Sequence, residues 1–189
     1  GYQDGALQMS RANAGSIAKT AVGHLAATAR QSFTTANDDI LKGKQWLSTL
    51  DNRTSKDCRI RDRLKYTLDG KPIGHKIPYL QGPGKIHFCC RSVETYILKS
   101  ADELGIAVGQ ISDSSRASMD GQVPADTDYQ GWFSRQSFTR QSQIVGVTRA
   151  RLIRDGGMIP DEFYSDKGEW LTLDQLRNRD TQAFKDARM

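Results

Sequence analysis

A proline- and glycine-rich stretch from Pro72 to Gly84 is the sequence feature that most constrains the fold. It holds three of the chain's five prolines. Proline has no backbone N–H and cannot continue a helix or a central strand, so this stretch must be irregular. The sequence on either side is typical of β-strands: residues 44–50 end at a turn pair, and residues 91–98 are rich in β-branched side chains. The pattern therefore predicts a small sheet whose strands flank a long loop.

Helical patterns dominate both ends of the chain. Residues 10–37 repeat small apolar side chains at four-residue spacing, which predicts a long N-terminal helix. This helix either lies on the domain or projects as an arm onto a neighbouring subunit. Towards the C-terminus we predict helices over 128–135 and 137–155. Capping boxes beginning at Ser100 and Thr172 predict a short helix and a final helix.

These patterns predict an α+β fold with a long N-terminal helix, a small β-sheet that carries a cysteine and histidine block, and a mainly helical C-terminal third. At 189 residues the chain suits one ordinary domain or one compact body with an arm. We expect four segments: a helical arm over 1–37, a core over 38–108, a linker or surface loop over 109–127, and a helical region over 128–189. The third segment is assigned as loop because it has few apolar residues.

The charge of the chain favours contact with nucleic acid or with an acidic protein surface. Its 27 Lys and Arg outnumber 22 Asp and Glu, which gives a net charge of +5 and a pI near 9.2. The excess is concentrated in one short stretch, and the candidate binding residues there are Arg59, Arg61, Arg63 and Lys65. On a strand they would line one face, whereas a helix would spread them around its axis. A solvated surface is the alternative.

The sequence shows neither a membrane span nor an export signal. No apolar run approaches the about 20 residues that cross a bilayer, and no cationic-then-apolar leader is present. Three cysteines, two of them adjacent, do not match the even disulfide framework of a small secreted domain. We therefore expect no membrane partner and folding in a reducing compartment.

Cysteine and histidine side chains form the one cluster of soft metal ligands. The His-x-x-Cys spacing lets His87 and Cys90 converge on one ion while Cys58 joins across the loop, so these three are candidate zinc ligands. The candidates for a fourth ligand are Asp51, Asp62 and Cys89. Two alternatives stay open: the cysteines pack as small apolar residues beside a hydrogen-bonded histidine, or Cys58 and Cys90 form a disulfide.

The same cluster does not amount to a catalytic site. A Cys58–His87 nucleophilic dyad would need a cleft, a lowered thiol pKa and an orienting carboxylate, and the sequence shows none of this geometry. We assign no catalytic residue and expect no enzyme.

A set of motifs spread over most of the chain resembles one family. The string Trp46-Leu-Ser-Thr-Leu-Asp51-Asn-Arg53-Thr54-Ser55-x-x-Cys58, followed by Asp62, Asp69-Gly70 and His87-x-x-Cys90-Arg91-Ser92, is similar to the signature of the phage Mu protein F-like head morphogenesis family. That family also includes minor head proteins of other tailed phages. The segments 116–126, 132–136, 141–152 and 171–176 resemble the same group. The resemblance covers roughly residue 36 to the C-terminus.

This resemblance implies a low-copy component of the virion head, present in the host cytoplasm during assembly. The partners it implies are portal and capsid proteins and, in some relatives, packaged phage DNA. It implies no catalytic site, and the one cofactor under consideration is a structural zinc. Many relatives carry cysteines where this chain has Ser55 and Ser92, so its ligand set is reduced. The alternative function is a small metal- or thiol-dependent hydrolase, a nuclease or protease, delivered with the phage genome.

Overall fold

The computed structural model describes residues 6–105 and 114–189 of the chain, with side chains from residue 10 onward. Its first half forms α1 (Ala6–Ala36), β1 (Leu41–Leu47), α2 (Lys56–Arg59), β2 (Lys65–Tyr66), β3 (Pro72–Ile73), β4 (Val93–Leu98) and α3 (Ala101–Leu104). Its second half forms β5 (Ser115–Ser118), β6 (Gly121–Pro124), α4 (Tyr129–Ser134), α5 (Phe138–Val145), α6 (Val147–Arg154), a 3-10 helix (Pro160–Phe163), α7 (Leu173–Arg179) and α8 (Thr181–Asp186). The predicted α+β class is confirmed.

The chain forms two compact units. The first consists of Gly1–Leu47, Leu64–Gly74 and Tyr79–Val108, and the second of Ser48–Arg63, His75–Pro78 and Gly109–Met189. Each unit thus gathers segments that are distant in sequence.

The first unit is built on an antiparallel sheet of strand order β3-β2-β1-β4. Strand β1 is central, and its residues Leu41 and Trp46 are buried together with Tyr66 of β2. Gly43 of β1 lies so close to β2 that a Cβ at this position would be 2.7 Å from the Tyr66 carbonyl oxygen. A side chain here would push the two strands apart.

The C-terminal half of α1 packs on this unit. The Tyr96 hydroxyl of β4 donates to the Arg30 carbonyl at 3.1 Å, and the rings of Phe33 and Tyr96 lie 5.0 Å apart. Closer to the middle of the helix, Thr20 Oγ1 accepts a hydrogen bond from the Cys89 N–H at 3.1 Å. Short polar contacts and one aromatic pair therefore hold the helix on its unit.

The second unit is mainly helical and has two apolar clusters. One contains Leu152, Met158, Phe163, Tyr164, Leu176, Ala183, Phe184 and Ala187. The other contains Leu50, Tyr129, Trp132, Phe133 and Ile144. Burying these aromatic and aliphatic side chains is the main stabilisation that the unit has available.

The segment 109–127, predicted as a linker or surface loop, differs in the structure. Residues 109–113 lie outside the described part of the chain, but the rest forms the β5–β6 hairpin, with Ser115 opposite Pro124 and Ser118 opposite Gly121. The hairpin contains few apolar residues, which is why hydropathy did not indicate strands. Gly121, with φ +111, provides the turn geometry that a hairpin needs.

The helix predicted over 137–155 is in fact two helices. Gly146 separates α5 from α6 with φ 86 and ψ 151, a conformation far from helical that glycine alone adopts at low cost. The predicted final helix is likewise divided into α7 and α8 at Asp180. Apolar spacing continued across both breaks and concealed them.

Several local predictions are confirmed. Both capping boxes are present, with reciprocal hydrogen bonds between Ser100 and Glu103 and between Thr172 and Gln175. Strand β1 begins and ends three residues earlier than predicted. The Pro/Gly-rich stretch is irregular apart from its first two residues, which pair as β3. Among the described residues, none of the helices combines the length and apolar character that a bilayer span requires.

Candidate functional site

The three predicted metal ligands are divided between the two units. Cys58 belongs to the second unit, whereas His87 and Cys90 belong to the first, where their ligand atoms lie within 4.8 Å of each other. Cys58 is 1% exposed and Cys90 8%, while His87 is half-buried. All three cysteines of the chain are free thiols, so the structure does not contain the Cys58–Cys90 disulfide considered above.

Cys58 is positioned by a helix cap. The Ser55 hydroxyl accepts the Cys58 N–H at 3.3 Å and begins α2, and the Ser48 hydroxyl donates to the Cys58 carbonyl at 2.8 Å. Ser55 thus serves as an N-cap, at a position where many members of the family that the motifs resemble carry a cysteine.

His87 and Cys90 have the hydrogen bonds that metal ligands need. His87 Nδ1 lies 2.9 Å from the Phe88 carbonyl oxygen, which can only accept, so a neutral ring carries its proton on Nδ1 and leaves Nε2 unprotonated. The Gly84 N–H donates to Cys90 Sγ at 3.3 Å, a contact that stabilises a thiolate. An imidazole with this tautomer and the neighbouring Cys90 thiol fit zinc as two of its four usual ligands.

The proposed fourth ligands are engaged elsewhere. Asp62 accepts the Ser48 N–H at 2.6 Å and a bidentate contact from Arg116. Asp51 Oδ1 accepts the Arg53 N–H and the Thr54 hydroxyl, each at 3.0 Å. Cys89 has φ 53, and its sulfur lies 3.8 Å from the Ser16 carbonyl of α1.

The basic stretch contacts the protein's own backbone. Arg59 donates to the carbonyls of Thr54 at 2.7 Å and Ile144 at 3.2 Å. Arg61 is 3% exposed and donates to the carbonyls of Pro78 at 3.0 Å and Asp57 at 2.7 Å.

The other two cations of the stretch differ from each other. Arg63 donates to the Ala125 carbonyl, whereas Lys65 is exposed. Three guanidinium groups therefore hold carbonyls within the second unit. Contact of this stretch with phosphate or an acidic partner stays a prediction, for which Lys65 is the exposed member of the four.

Arg116 is a central residue that sequence reasoning missed. Its guanidinium contacts both Asp62 oxygens, at 2.9 and 3.2 Å, and also donates to the carbonyls of Thr127 at 2.8 Å and Ser48. Burial raises the pKa of the Asp62 carboxyl, and Arg116 and the Ser48 N–H oppose that rise. The two partners are 54 residues apart, so no local pattern joins them.

A second missed feature is a buried polar group in the first unit. Lys44 Nζ lies 3.8 Å from Glu94 Oε2 and 4.2 Å from the centre of the Tyr79 ring, and the Tyr79 hydroxyl donates to Glu94. Burial lowers the pKa of Lys44, and the Glu94 carboxylate opposes that change. The strand period could have found Lys44, because it lies two residues before Trp46 and so shares its buried face.

Helix α1 has two contrasting faces. The face towards its unit carries small residues. Gly23 lies so close to the loop that contains Gly84 that a Cβ at position 23 would be 3.4 Å from the Gly84 carbonyl oxygen. The opposite face carries larger side chains, with Ile17 62%, Val22 66% and Leu25 70% exposed. Every residue from Ser10 to Lys19 is exposed, on both sides of the helix. The prediction of a helix lying on the domain holds from Ser16, whose carbonyl contacts Cys89, towards the C-terminus of α1.

A scan against models of known protein families, a search of curated proteins and a search of solved structures each find no match to this chain. The site is therefore interpreted from its own residues.

Proposed function

We propose that this chain is a structural component of a tailed-phage head, a minor head protein that acts in capsid assembly at the portal and the capsid interior. The motif resemblance supports the phage context. The observation that carries an assembly role is α1, where Ile17, Val22 and Leu25 are exposed on the side away from its own unit. A contiguous exposed apolar surface of this kind marks an interaction site.

The residues of the resembling motif support a structural rather than a chemical role. Trp46 is fully buried, Thr54 donates to the Thr49 carbonyl at 2.6 Å, Cys58 is 1% exposed and Asp62 is held by Arg116. Each of these residues fixes backbone or fills space. A nucleophile or a general base would need access to a substrate.

Mass spectrometry of purified procapsids and mature heads tests this proposal. We expect peptides of this chain in both particles, in proportion to the portal protein. Particles that lack it, although the chain is present in the lysate, would contradict the proposal.

A hydrolase is the second candidate, and the closeness of the His87 ring to the Cys90 thiol within the first unit is the observation that favours it. Purified protein would be assayed for cleavage of DNA and of a peptide mixture. Activity that is lost in both Cys58→Ala and His87→Ala but kept in Cys89→Ala would favour the hydrolase. Unchanged substrates at all protein concentrations would favour the structural role.

A further inference from the structure

The outer face of α1 is an apolar surface of defined shape. At about 100° per residue, Ile17, Ala21, Leu25 and Val22 occupy an arc of about 140°. The residues that approach the unit, among them Thr20, Gly23 and Thr34, fall on the remaining side of the helix. The outer arc is thus apolar and exposed over several turns.

The described N-terminal part of this helix has little packing to stabilise it: over residues 10–19 the one contact named above joins the Ser16 carbonyl to Cys89 Sγ at 3.8 Å. Residues 10–19 are exposed on all sides, although an isolated helix of this length is marginal in water. At about 1.5 Å per residue, the 31 residues of α1 extend about 46 Å, so a partner helix of ordinary length can lie along it. Docking of such a helix would supply the missing packing.

The charge of α1 selects the kind of partner. Its sequence contains Arg11, Lys19, His24 and Arg30 but no Asp or Glu. Its first turn has no acidic residue to offset the positive end of the helix dipole. Arg11 and Lys19 are exposed and lie within or beside the apolar arc. Acidic groups that flank an apolar seam would complement this pattern.

Other occupants match the face less well. A second copy of the chain would bring cations against cations, which is unfavourable. Nucleic acid would pair with Arg11 and Lys19 but would leave Val22 and Leu25 unburied. Helices that bind bilayer surfaces present bulky Trp, Phe and Leu, whereas this arc alternates large residues with alanines, which allow another helix to approach closely.

We propose that the outer face of α1 binds a helix of another protein that has an aliphatic seam flanked by Asp and Glu. This proposal rests on the proposed function, because it names the kind of partner that an assembly component needs. The face of α1 provides the apolar contact area, and Arg11 and Lys19 select partners by charge.

Two synthetic helical peptides of equal length test the proposal with the full chain. Both carry the same leucine and alanine seam, flanked by Glu in one and by Lys in the other. Calorimetry should show the Glu peptide binding about tenfold or more tightly, with an affinity that falls as salt is added. The double variant Val22→Ser/Leu25→Ser should lose this binding. The control Val147→Ser/Ile159→Ser removes side chains of similar exposure, 54% and 58%, and should keep it.

Four results would overturn the proposal. They are equal affinity for both peptides, binding that survives Val22→Ser/Leu25→Ser, dimerisation that this double variant abolishes, and binding to anionic phospholipid vesicles in place of either peptide. Circular dichroism of each variant checks that the fold is retained. If the chain is present in heads but shows no peptide preference, this inference fails alone. If it prefers the Glu peptide but is absent from heads, the proposed function fails alone.

Discussion

The contact between Arg116 and Asp62 offers the sharpest test of how the second unit is held together. The substitution Arg116→Met keeps much of the side-chain volume but removes the cation. It leaves the Asp62 carboxylate, whose side chain is 1% exposed, with the backbone N–H groups of Ser48 and Tyr129 as donors. Removing one partner of a buried ion pair costs about 3–5 kcal/mol.

The protonation of Asp62 limits this cost. Protonating a carboxyl with an ordinary pKa of 3.8 at pH 7 requires about 4 kcal/mol, at about 1.4 kcal/mol per pH unit. A stranded carboxylate that cost more would take up a proton instead. The lost hydrogen bonds to the carbonyls of Thr127 and Ser48 add about 1 kcal/mol each, independent of pH.

The sign of the pH dependence follows from the direction of the pKa shift. In the variant, burial without Arg116 raises the folded-state pKa of Asp62 further above its unfolded value. Between the unfolded-state and folded-state pKa values, the folded variant then binds more protons than the unfolded chain. The resulting contribution to stability is fully present below the unfolded-state pKa and is lost as pH rises through the folded-state pKa. The loss caused by Arg116→Met should therefore shrink by up to about 3 kcal/mol between pH 7 and pH 5.

Urea unfolding followed by tryptophan fluorescence measures this loss. Two of the three tryptophans, Trp132 and Trp170, lie in the unit that contains Arg116. The control Lys76→Met removes an exposed pair with Asp166, whose atoms are 3.8 Å apart, and should cause no measurable change. A loss below about 1 kcal/mol at pH 7, or one that does not depend on pH, would refute this explanation.

Three further predictions concern other parts of the chain. Gly146→Ala should lower the free energy of unfolding by about 1–3 kcal/mol, because the φ of 86 at this position is unfavourable for alanine. Gly15→Ala in the exposed part of α1 should instead stabilise the helix by about 0.5–1 kcal/mol. Thermal melts compare the two variants, and equal effects would contradict the backbone explanation. In the first unit, Lys44→Met and Glu94→Gln should each lower the free energy of unfolding, because each change leaves a buried polar group without its partner. The double variant should lose less stability than the sum of the two single losses, and strict additivity in a double-mutant cycle would show no coupling. Metal analysis should find one zinc ion per folded chain, which is lost in His87→Ala and retained in Cys89→Ala. A metal-free protein with three freely titratable thiols would show instead that Cys58 and Cys90 are packing residues.

Features that depend on neighbouring residues could be predicted from the sequence. The helix caps at Ser55, Ser100 and Thr172 arise from hydrogen bonds over three residues, so a short pattern identifies them. The length of α1 also follows from local periodicity.

Features that depend on distant contacts could not be predicted. The β5–β6 hairpin is polar, and the role of Arg116 within it becomes visible only when Asp62 is beside it. The charge of the basic stretch is visible in the sequence, whereas the carbonyls that Arg59 and Arg61 hold are not. The side of α1 that faces solvent could not be predicted for a related reason: hydropathy predicts that larger residues pack, whereas in the middle of α1 Thr20 and Gly23 face the unit while Val22 and Leu25 are exposed.

Counting this chain in purified particles tests the proposal that it is a structural part of a phage head. Purified heads would be digested with isotope-labelled reference peptides of this chain and of the portal protein. We expect a low number of copies per head that stays constant between preparations and is the same in procapsids. A chain that is absent from heads, or whose amount follows its abundance in the lysate, would contradict it.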